Sequence, residues 1–281
     1  KQFFRMNYIE FFERLFVTPA NQRTFYEYVN TPKRKIYFDI EWEFLVENYD
    51  VVLPQFNQIR DCTLTGIQTE LHSKNVNYNV ERDCIIQSSH GPGKLSLHII
   101  INNFYFDRLD NLQYFVAAVR NYIPRKLWYY IKPNKGTPSD KRSPSPGPVK
   151  GLGETLDTRV YTTGRQFRLV WNTKLGKNRF LIIDPITPIG ATFPRQPGDP
   201  DNISEELQKL RLFEACMITF TSNCTLLPDW APIEDAKVAK YAPIQLTNAQ
   251  DQFMIDAFTS STYSTIFRLG NRYRDNSYYL V

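Results

Sequence analysis

The segment Ile36–Glu43 reads IYFDIEWE, and its alternation decides the architecture expected around it. Apolar residues occupy every second position from Ile36 to Ile40, so they line one face of a strand, while Asp39 and Glu41 share the opposite face. Two neighbouring carboxylates repel each other unless a cation lies between them, and hard oxygen ligands suit Mg²⁺ or Mn²⁺. We interpret Asp39 and Glu41 as candidate metal ligands; the alternative is two solvated acids on an edge strand.

A second strand pattern follows in KLSLHIIIN, residues 94–102. Residues 83–90 are also rich in strand-forming side chains, and the Gly91-Pro92-Gly93 turn between the two runs predicts a hairpin. Alternation puts Lys94, Ser96 and His98 on one face, where an ammonium, a hydroxyl and an imidazole can together bind an anion. The alternative is a structural histidine.

A third group begins at Asp157 and continues through the basic residues Arg165, Arg168 and Lys174. On a strand, Arg165 and Arg168 face opposite sides because they are three residues apart. The chain has no GxxxxGK[ST] loop, so any phosphate has to be held by side chains. The alternative is a solvated basic surface.

The remaining hydrophobic patterns predict a fold of class α+β, because helices and strands are mixed without a regular βαβ alternation. Pro124 is expected to interrupt the fourth of the predicted helices. The predicted helices are 7–16, 20–29, 50–70, 110–131, 203–218 and 247–258, of which 50–70 has an ambiguous pattern, and the remaining predicted strands are 165–171 and 178–184.

Composition restricts the class of protein. The 281 residues carry a formal net charge of +5 and 15% aromatic side chains, which suits a nucleic-acid or nucleotide partner. No apolar run approaches the ~18 residues of a membrane span, so no membrane partner is expected. The four cysteines form no CxxC pair, which predicts free thiols in a soluble, intracellular protein.

Residues 132–153 are rich in proline, glycine and basic side chains and contain little that can pack, which predicts a mobile basic loop. This loop is either a disordered insertion without a role in binding or a basic flap that contacts nucleic acid. We expect one catalytic domain over 1–230, with 231–281 as an extension that packs on it or links it to a further region.

Taken together, IYFDIEWE, KLSLHIII and LDTRVYTTGRQFRLVWNTKLGK (156–177) resemble the archaeo-eukaryotic primase superfamily, in particular its PrimPol-like primase–polymerase branch. The resemblance covers roughly residues 20–225. It implies an RRM-like catalytic sheet packed on a smaller N-terminal α/β half. Large DNA viruses and plasmids attach such a domain to a superfamily-3 helicase, so a helicase domain in the full-length chain is an implied partner.

The resemblance also implies roles for individual residues. Asp39, Glu41 and Asp157 would be the catalytic carboxylates that bind two Mg²⁺ or Mn²⁺ ions. The incoming NTP or dNTP would be held by Lys94, Ser96, His98, Arg165, Arg168, Lys174 and, before the first motif, Arg23. The implied activity is DNA-dependent primer synthesis or extension on a single-stranded DNA template, at sites of replication in the nucleus or a viral replication factory.

Two other functions compete with this interpretation. Phe38-Asp39-Ile40-Glu41 and the run from Asn102 to Asp107 also resemble the first two motifs of a DnaQ-like 3′–5′ exonuclease. Its third motif, Yx₃D or Hx₄D, occurs nowhere in the sequence. A non-catalytic RRM-like nucleic-acid-binding module would use the basic and aromatic side chains, but it has no need of the three acids.

Overall fold

The computed structural model describes residues 7–133 and 151–230, together with the backbone of 269–272 and 278–280. Its helices are α1 (Tyr8–Val17), α2 (Tyr49–Ser73), α3 (Val80–Asp83), α4 (Leu109–Arg120) and α5 (Glu205–Cys216). Its strands are β1 (Tyr26–Val29), β2 (Arg34–Glu43), β3 (Cys84–Ser88), β4 (Lys94–Phe106), β5 (Tyr129–Ile131), β6 (Leu152–Glu154), β7 (Arg165–Arg168), β8 (Ile182–Ile183), β9 (Thr225–Leu226), β10 (Leu269–Arg272) and β11 (Tyr278–Leu280). The architecture is α+β, as predicted.

By its internal contacts the chain divides into two units, Lys1–Trp230 and Ala231–Val281. The first unit contains the elements α1 to α5 and β1 to β9. The described part of the second unit is an antiparallel pair formed by β10 and β11. Within the parts of the chain that the structure describes, no helix is both long and apolar enough to cross a bilayer.

The central sheet has the strand order β2-β4-β3-β8, with antiparallel pairing between these neighbours, and β9 lies parallel to β4. Leu156 forms an antiparallel bridge with Ile40, so the segment that follows β6 extends the sheet beyond β2. In chain order, the strands of this sheet and the two long helices between them are β2, α2, β3, β4, α4 and the segment around Leu156. The order is therefore strand, helix, strand, strand, helix, strand.

One face of this sheet is covered by the long helices α2 and α4. The predicted apolar side of β2 faces these helices: the Phe38 and Phe115 rings, from β2 and α4, have centroids 6.4 Å apart. Both rings are fully buried, as are Ile40 of β2 and Ile59 of α2. Burial of these alternating side chains holds the strand in register, since a shift of one residue would expose all of them.

The other face of the sheet is partly covered by the antiparallel pair of β1 and β7. Phe167 of β7 lies over the sheet, with its ring centroid 4.4 Å from the His98 ring and 5.1 Å from the Tyr37 ring. This packing leaves the end of the sheet that carries Asp39 and Glu41 less covered, and both acids are half-buried.

Several predicted elements differ from the structure. The helix expected over 20–29 was wrong: a 3-10 turn at Ala20–Gln22 is followed by the strand β1. Tyr26–Val29 is rich in aromatic and β-branched side chains, and its pairing with β7, more than 130 residues away in the chain, overrides the local helical spacing. The helix expected over 110–131 ends at Arg120, before Pro124, because the residue preceding a proline disfavours helix.

Two predicted strands are shorter than expected. The run 165–171 is extended only as far as Arg168, and Trp171 adopts a positive φ of 62° that ends the extended backbone. In the run 178–184, only Ile182–Ile183 pairs with β3. The ambiguous region 50–70 is confirmed as helical by α2, and the expected helix at 203–218 is α5, which Ser204 caps by accepting a hydrogen bond from the Leu207 amide.

The predicted loop at 132–153 is only partly described. Its last residues belong to β6, which pairs with β5, so that end of the prediction was wrong. Residues 134–150 lie outside the described residues, and so does the helix expected at 247–258.

Candidate active site

Three carboxylates come together where β2 meets the segment that follows β6. The Asp157 amide donates to the Asp39 carbonyl at 2.9 Å, and the Glu41 amide donates to the Thr155 carbonyl at 2.8 Å. These backbone bonds hold Asp157, which lies 118 positions after Asp39, on the strand next to the Asp39–Glu41 pair. The alternation in the sequence predicted the face shared by Asp39 and Glu41, and the resemblance implied Asp157 as a third acid, which the tertiary structure brings next to Asp39.

The electrostatic environment of Asp39 reflects this gathering of acids. Burial, followed by the charges of Glu41 and Asp157, raises the pKa of Asp39 to about 7. The nearby ammonium groups of Lys94 and Lys174 oppose this rise. A carboxyl in such surroundings binds a proton or a cation readily, because either one relieves the repulsion between the acids.

Each of the other two acids is held by its own basic partner. Lys94 forms an ion pair with Glu41 through a very short contact, and its Nζ lies 3.7 Å from a Glu43 oxygen. Arg159 grips Asp157 with two side-chain hydrogen bonds of 2.8 and 2.9 Å and one backbone hydrogen bond of 3.0 Å. Burial alone would raise the pKa of Asp157, but these bonds from Arg159 and the nearby charge of Arg165 hold it below its usual value.

These ion pairs bear on metal binding. Within the described ranges, no three acidic, histidine or cysteine side chains converge closely enough to hold an ion. The donor set still fits a hard divalent cation by chemistry, since Asp39, Glu41 and Asp157 supply oxygen ligands from hydrogen-bonded backbone positions. A metal ion at this site has to compete with Lys94 for Glu41 and with Arg159 for Asp157.

The predicted anion-binding row on β4 lies directly opposite the acids. In the β2–β4 register, Lys94, Ser96 and His98 pair with Glu43, Glu41 and Asp39, respectively. All three residues of the row are buried, and the Ser96 amide donates to the His90 ring at 3.1 Å. The alternation read from the sequence therefore places an ammonium, a hydroxyl and an imidazole beside the carboxylates.

The surroundings of His98 favour the neutral form of its imidazole. Burial, followed by the charges of Arg168, Lys174 and Lys94, holds its pKa well below the usual 6.5. Its Nε2 lies 3.7 Å from an Asp39 oxygen, and within the described residues its buried Nδ1 has no hydrogen-bond partner. A neutral ring that stacks on Phe167 keeps one N–H available for an anionic ligand.

Arg168 and Lys174 add two further positive charges that act on the acids. The Arg168 side chain is buried and donates to the Arg179 carbonyl at 3.1 Å, while its Nε has no hydrogen-bond partner among the described residues. Burial lowers the pKa of Arg168, and the charges of Asp39 and Glu41 oppose that effect. Lys174 is exposed, and its charge also acts on Asp39.

The remaining two predicted residues have other primary contacts. Arg165 is exposed and donates to Thr162 Oγ1 at 2.7 Å, although its charge reaches Asp157. Arg23 donates to the Thr18 carbonyl at 2.8 Å, and its guanidinium lies 5.2 Å from the centroid of the Phe16 ring. Its only described link to the site is through the backbone, where its carbonyl accepts a hydrogen bond from the Thr173 amide.

Three residues that the sequence reasoning did not select belong to the site. Arg159 was missed, although its place two positions after Asp157 is typical of an aspartate that caps its own turn. The Phe167 ring covers His98. The buried Gln87 is the cross-strand partner of His98 on β3, so Asp39, His98 and Gln87 lie side by side across the sheet. No local signal marks Phe167 or Gln87, because their roles depend on strand pairing.

Comparison with known proteins adds no relative. No protein-family model matches the chain, and no curated protein has a significant sequence match to it.

Proposed function

We propose that the chain is a primase–polymerase of the archaeo-eukaryotic primase type, which transfers nucleotides onto a 3′-hydroxyl on a single-stranded DNA template. The observation that carries the proposal is the arrangement of Asp39, Glu41 and Asp157 facing the cationic row of β4 across one antiparallel sheet. The order strand, helix, strand, strand, helix, strand supports it, because an RRM-like catalytic sheet has this connectivity.

In this proposal, the basic and polar residues bind the nucleotide. Lys94, Ser96 and His98 present donors to the phosphates of an incoming nucleotide, and Arg168 with Lys174 neutralises charge that accumulates on the transferring phosphoryl group. His98 donates from a neutral ring, so it orients a phosphate without adding a further charge. The stacked Phe167 ring excludes water from this side of His98.

The three carboxylates would hold the divalent ions that such a reaction uses. Bound between Asp39, Glu41 and Asp157, two ions would lower the pKa of the attacking hydroxyl and neutralise the leaving pyrophosphate. When nucleotide and metal enter, we expect Lys94 to move from Glu41 towards the phosphates and Arg159 to release Asp157.

The experiment is incorporation of labelled nucleotide on single-stranded DNA, with and without a primer, in Mg²⁺ or Mn²⁺. We expect Asp39→Ala to abolish incorporation while circular dichroism and DNA binding remain near those of the unchanged protein. A matched control is Asp61→Ala, which removes an exposed acid from α2. Incorporation that survives in Asp39→Ala would refute the proposal, and loss of the folded circular-dichroism signal would show that Asp39 is structural.

The exonuclease alternative is disfavoured by the position of Asp107. This residue follows the end of β4, where Phe106 pairs with Arg34, five positions before Asp39 on β2. Asp107 lies one position further on, so at about 3.3 Å per residue the two acids are roughly 20 Å apart along the strand. Shortening of a supplied primer in the same assay would revive the exonuclease.

A non-catalytic binding module remains the second alternative. It accounts for the basic and aromatic surface but not for the grouping of three acids, in which burial and then the charges of Glu41 and Asp157 raise the pKa of Asp39. Nucleic-acid binding without metal-dependent incorporation in any assay would favour it.

A further inference from the structure

The hairpin of β5 and β6 carries an exposed aromatic and basic surface at the edge of the sheet. Tyr129 and Ile131 project from the side of β5 opposite the buried Tyr130, and they are 46% and 42% exposed. Leu152, the cross-strand partner of Ile131, is 44% exposed and extends the same surface. These exposed side chains lie outside the hydrophobic core, and a group of exposed apolar side chains often marks a binding site.

Basic side chains surround these rings. The guanidinium carbon of Arg120 lies 4.4 Å from the centroid of the Trp128 ring and 5.4 Å from that of Tyr129, and Arg125 lies 5.8 Å from the Trp128 centroid. Arg125 and Lys126 are exposed. Residues 120–133 include four basic residues and no acid. Glu154, on the facing strand, lies 3.8 Å from the largely buried Arg120, so the exposed positive charge of the surface comes from Arg125 and Lys126, close to the exposed Tyr129 ring.

The hairpin is tied to the carboxylates through its second strand. Glu154, the cross-strand partner of Tyr129, accepts a hydrogen bond of 2.8 Å from the Thr158 hydroxyl, and Thr158 directly follows Asp157. Asp157 lies three positions after Glu154, a path of about 10 Å along an extended chain. A nucleic-acid strand that leaves the acids over this edge meets the hairpin within a few nucleotides.

We propose that this surface, formed by Tyr129, Arg125, Lys126, Arg120 and Trp128, binds single-stranded nucleic acid beside the carboxylates. One base stacks on Tyr129, and Arg125 and Lys126 contact the phosphates on either side. Exposed rings among cations are the combination that binds single strands without reading their sequence, because every base has a face that can stack. The inference rests on the proposed function, since it names the surface that holds that reaction's template or primer.

The test is equilibrium binding of fluorescein-labelled oligothymidylate by the full chain, followed by anisotropy without divalent ion or nucleotide. We expect Tyr129→Ala to weaken binding by about 5- to 100-fold, and Tyr129→Phe to bind like the parent because it keeps the stacking face. Tyr114→Ala is the matched control, since Tyr114 is a 40% exposed tyrosine that belongs to α4 and not to the hairpin. Thermal melting followed by circular dichroism verifies that each variant is folded.

Salt dependence tests the phosphate contacts separately. We expect Lys126→Gln to reduce the slope of log affinity against log salt concentration by about 0.7, the value for one lost contact with a single strand. Lys74→Gln, at the end of α2, should leave the slope unchanged. Binding by Tyr129→Ala that equals the parent's, or an equal loss in Tyr129→Phe, overturns the inference.

The same assay distinguishes this inference from the proposed function. If Asp39→Ala binds the oligonucleotide like the parent and Tyr129→Ala does not, the hairpin surface stands whether or not the chain incorporates nucleotides. If incorporation depends on Asp39 while Tyr129→Ala binds normally, the proposed function stands and the hairpin surface is wrong.

Discussion

Asp39 is central to the site because its pKa depends on burial, on the neighbouring acids and on the cations nearby. Burial raises its pKa first, and the neighbouring acids Glu41 and Asp157 raise it further, to about 7. Lys94 and Arg159 meanwhile neutralise those two acids through ion pairs. The cluster is thus stable without a bound cation, and it keeps one carboxyl whose protonation or metal binding relieves the remaining repulsion.

His98 gives the sharpest prediction at the residue scale. We expect His98→Ala to raise the apparent KM for nucleotide roughly 10- to 100-fold, because it removes one hydrogen bond to a charged phosphate, with a smaller effect on kcat. Steady-state incorporation kinetics measure both constants. The control is His72→Ala, whose ring lies at the end of α2 against the Tyr78 carbonyl. An unchanged KM would exclude His98 from nucleotide binding.

At the scale of elements, the short hairpin of β5 and β6 depends on a glycine, Gly153, that leaves room for a neighbouring ring. A Cβ on Gly153 would lie 2.4 Å from the Tyr130 ring, which packs over this glycine. Such an approach is too close for any real side chain, so the ring or the strand has to move.

We therefore expect Gly153→Ala to destabilise the protein by about 1–3 kcal/mol, measured by urea unfolding. The substitution should cost less in a Tyr130→Leu background, because the shorter side chain does not reach across Gly153, and the two changes should be clearly non-additive. Strict additivity would show that the contact between Gly153 and Tyr130 is unimportant.

Some elements were predicted wrongly from their local hydrophobic pattern. β1 has a helical spacing of apolar residues in the sequence but is a strand, because its partner β7 is contributed by a distant part of the chain. In contrast, β2 and β4 are long alternating strands that the sequence identified correctly, since burial of one face leaves them a single register. Long, strongly alternating segments are predictable, and short strands on a covering layer are not.

For the molecule as a whole, buried thiols and phenols predict how stability changes with pH. Burial raises the pKa values of Cys84 and Cys216 from 9.0 to about 12, and that of Tyr37 from 10.0 to about 12. Above pH 9 the unfolded chain loses thiol protons that the native chain keeps. Their contribution to the free energy of unfolding is therefore fully present below pH 9 and is lost as the pH rises towards 12.

Lys35 acts in the opposite direction over part of this range. Burial lowers its pKa from 10.5 to about 8, so between these values the unfolded chain binds more protons and this group adds stability as the pH rises. The three raised acids outweigh one lowered base, and above pH 10.5 the base no longer contributes. We expect a net loss of stability above about pH 9.

Urea unfolding at a series of pH values from 8 to 11 measures this loss, and Cys216→Ala identifies its source. The variant should show a shallower pH dependence, by at most about 1.4 kcal/mol per pH unit, because one titrating thiol is gone. Cys62→Ala, which removes a half-buried thiol, should change the slope less. Parallel curves for Cys216→Ala and the parent would contradict the assignment.

The sequence by itself determined the central strands, their hairpin, the α+β class and the two faces of β2 and β4, because side-chain alternation is a local property of an extended chain. It thereby brought Asp39 and Glu41, and separately Lys94, Ser96 and His98, onto single faces. Only the tertiary structure decided that these faces lie opposite each other and that Arg159 holds Asp157; it also brings Asp157, which the resemblance implied as a third acid, next to Asp39. Those relations depend on pairing between segments up to 118 residues apart, and what selects that pairing is burial of the whole sheet rather than any local pattern.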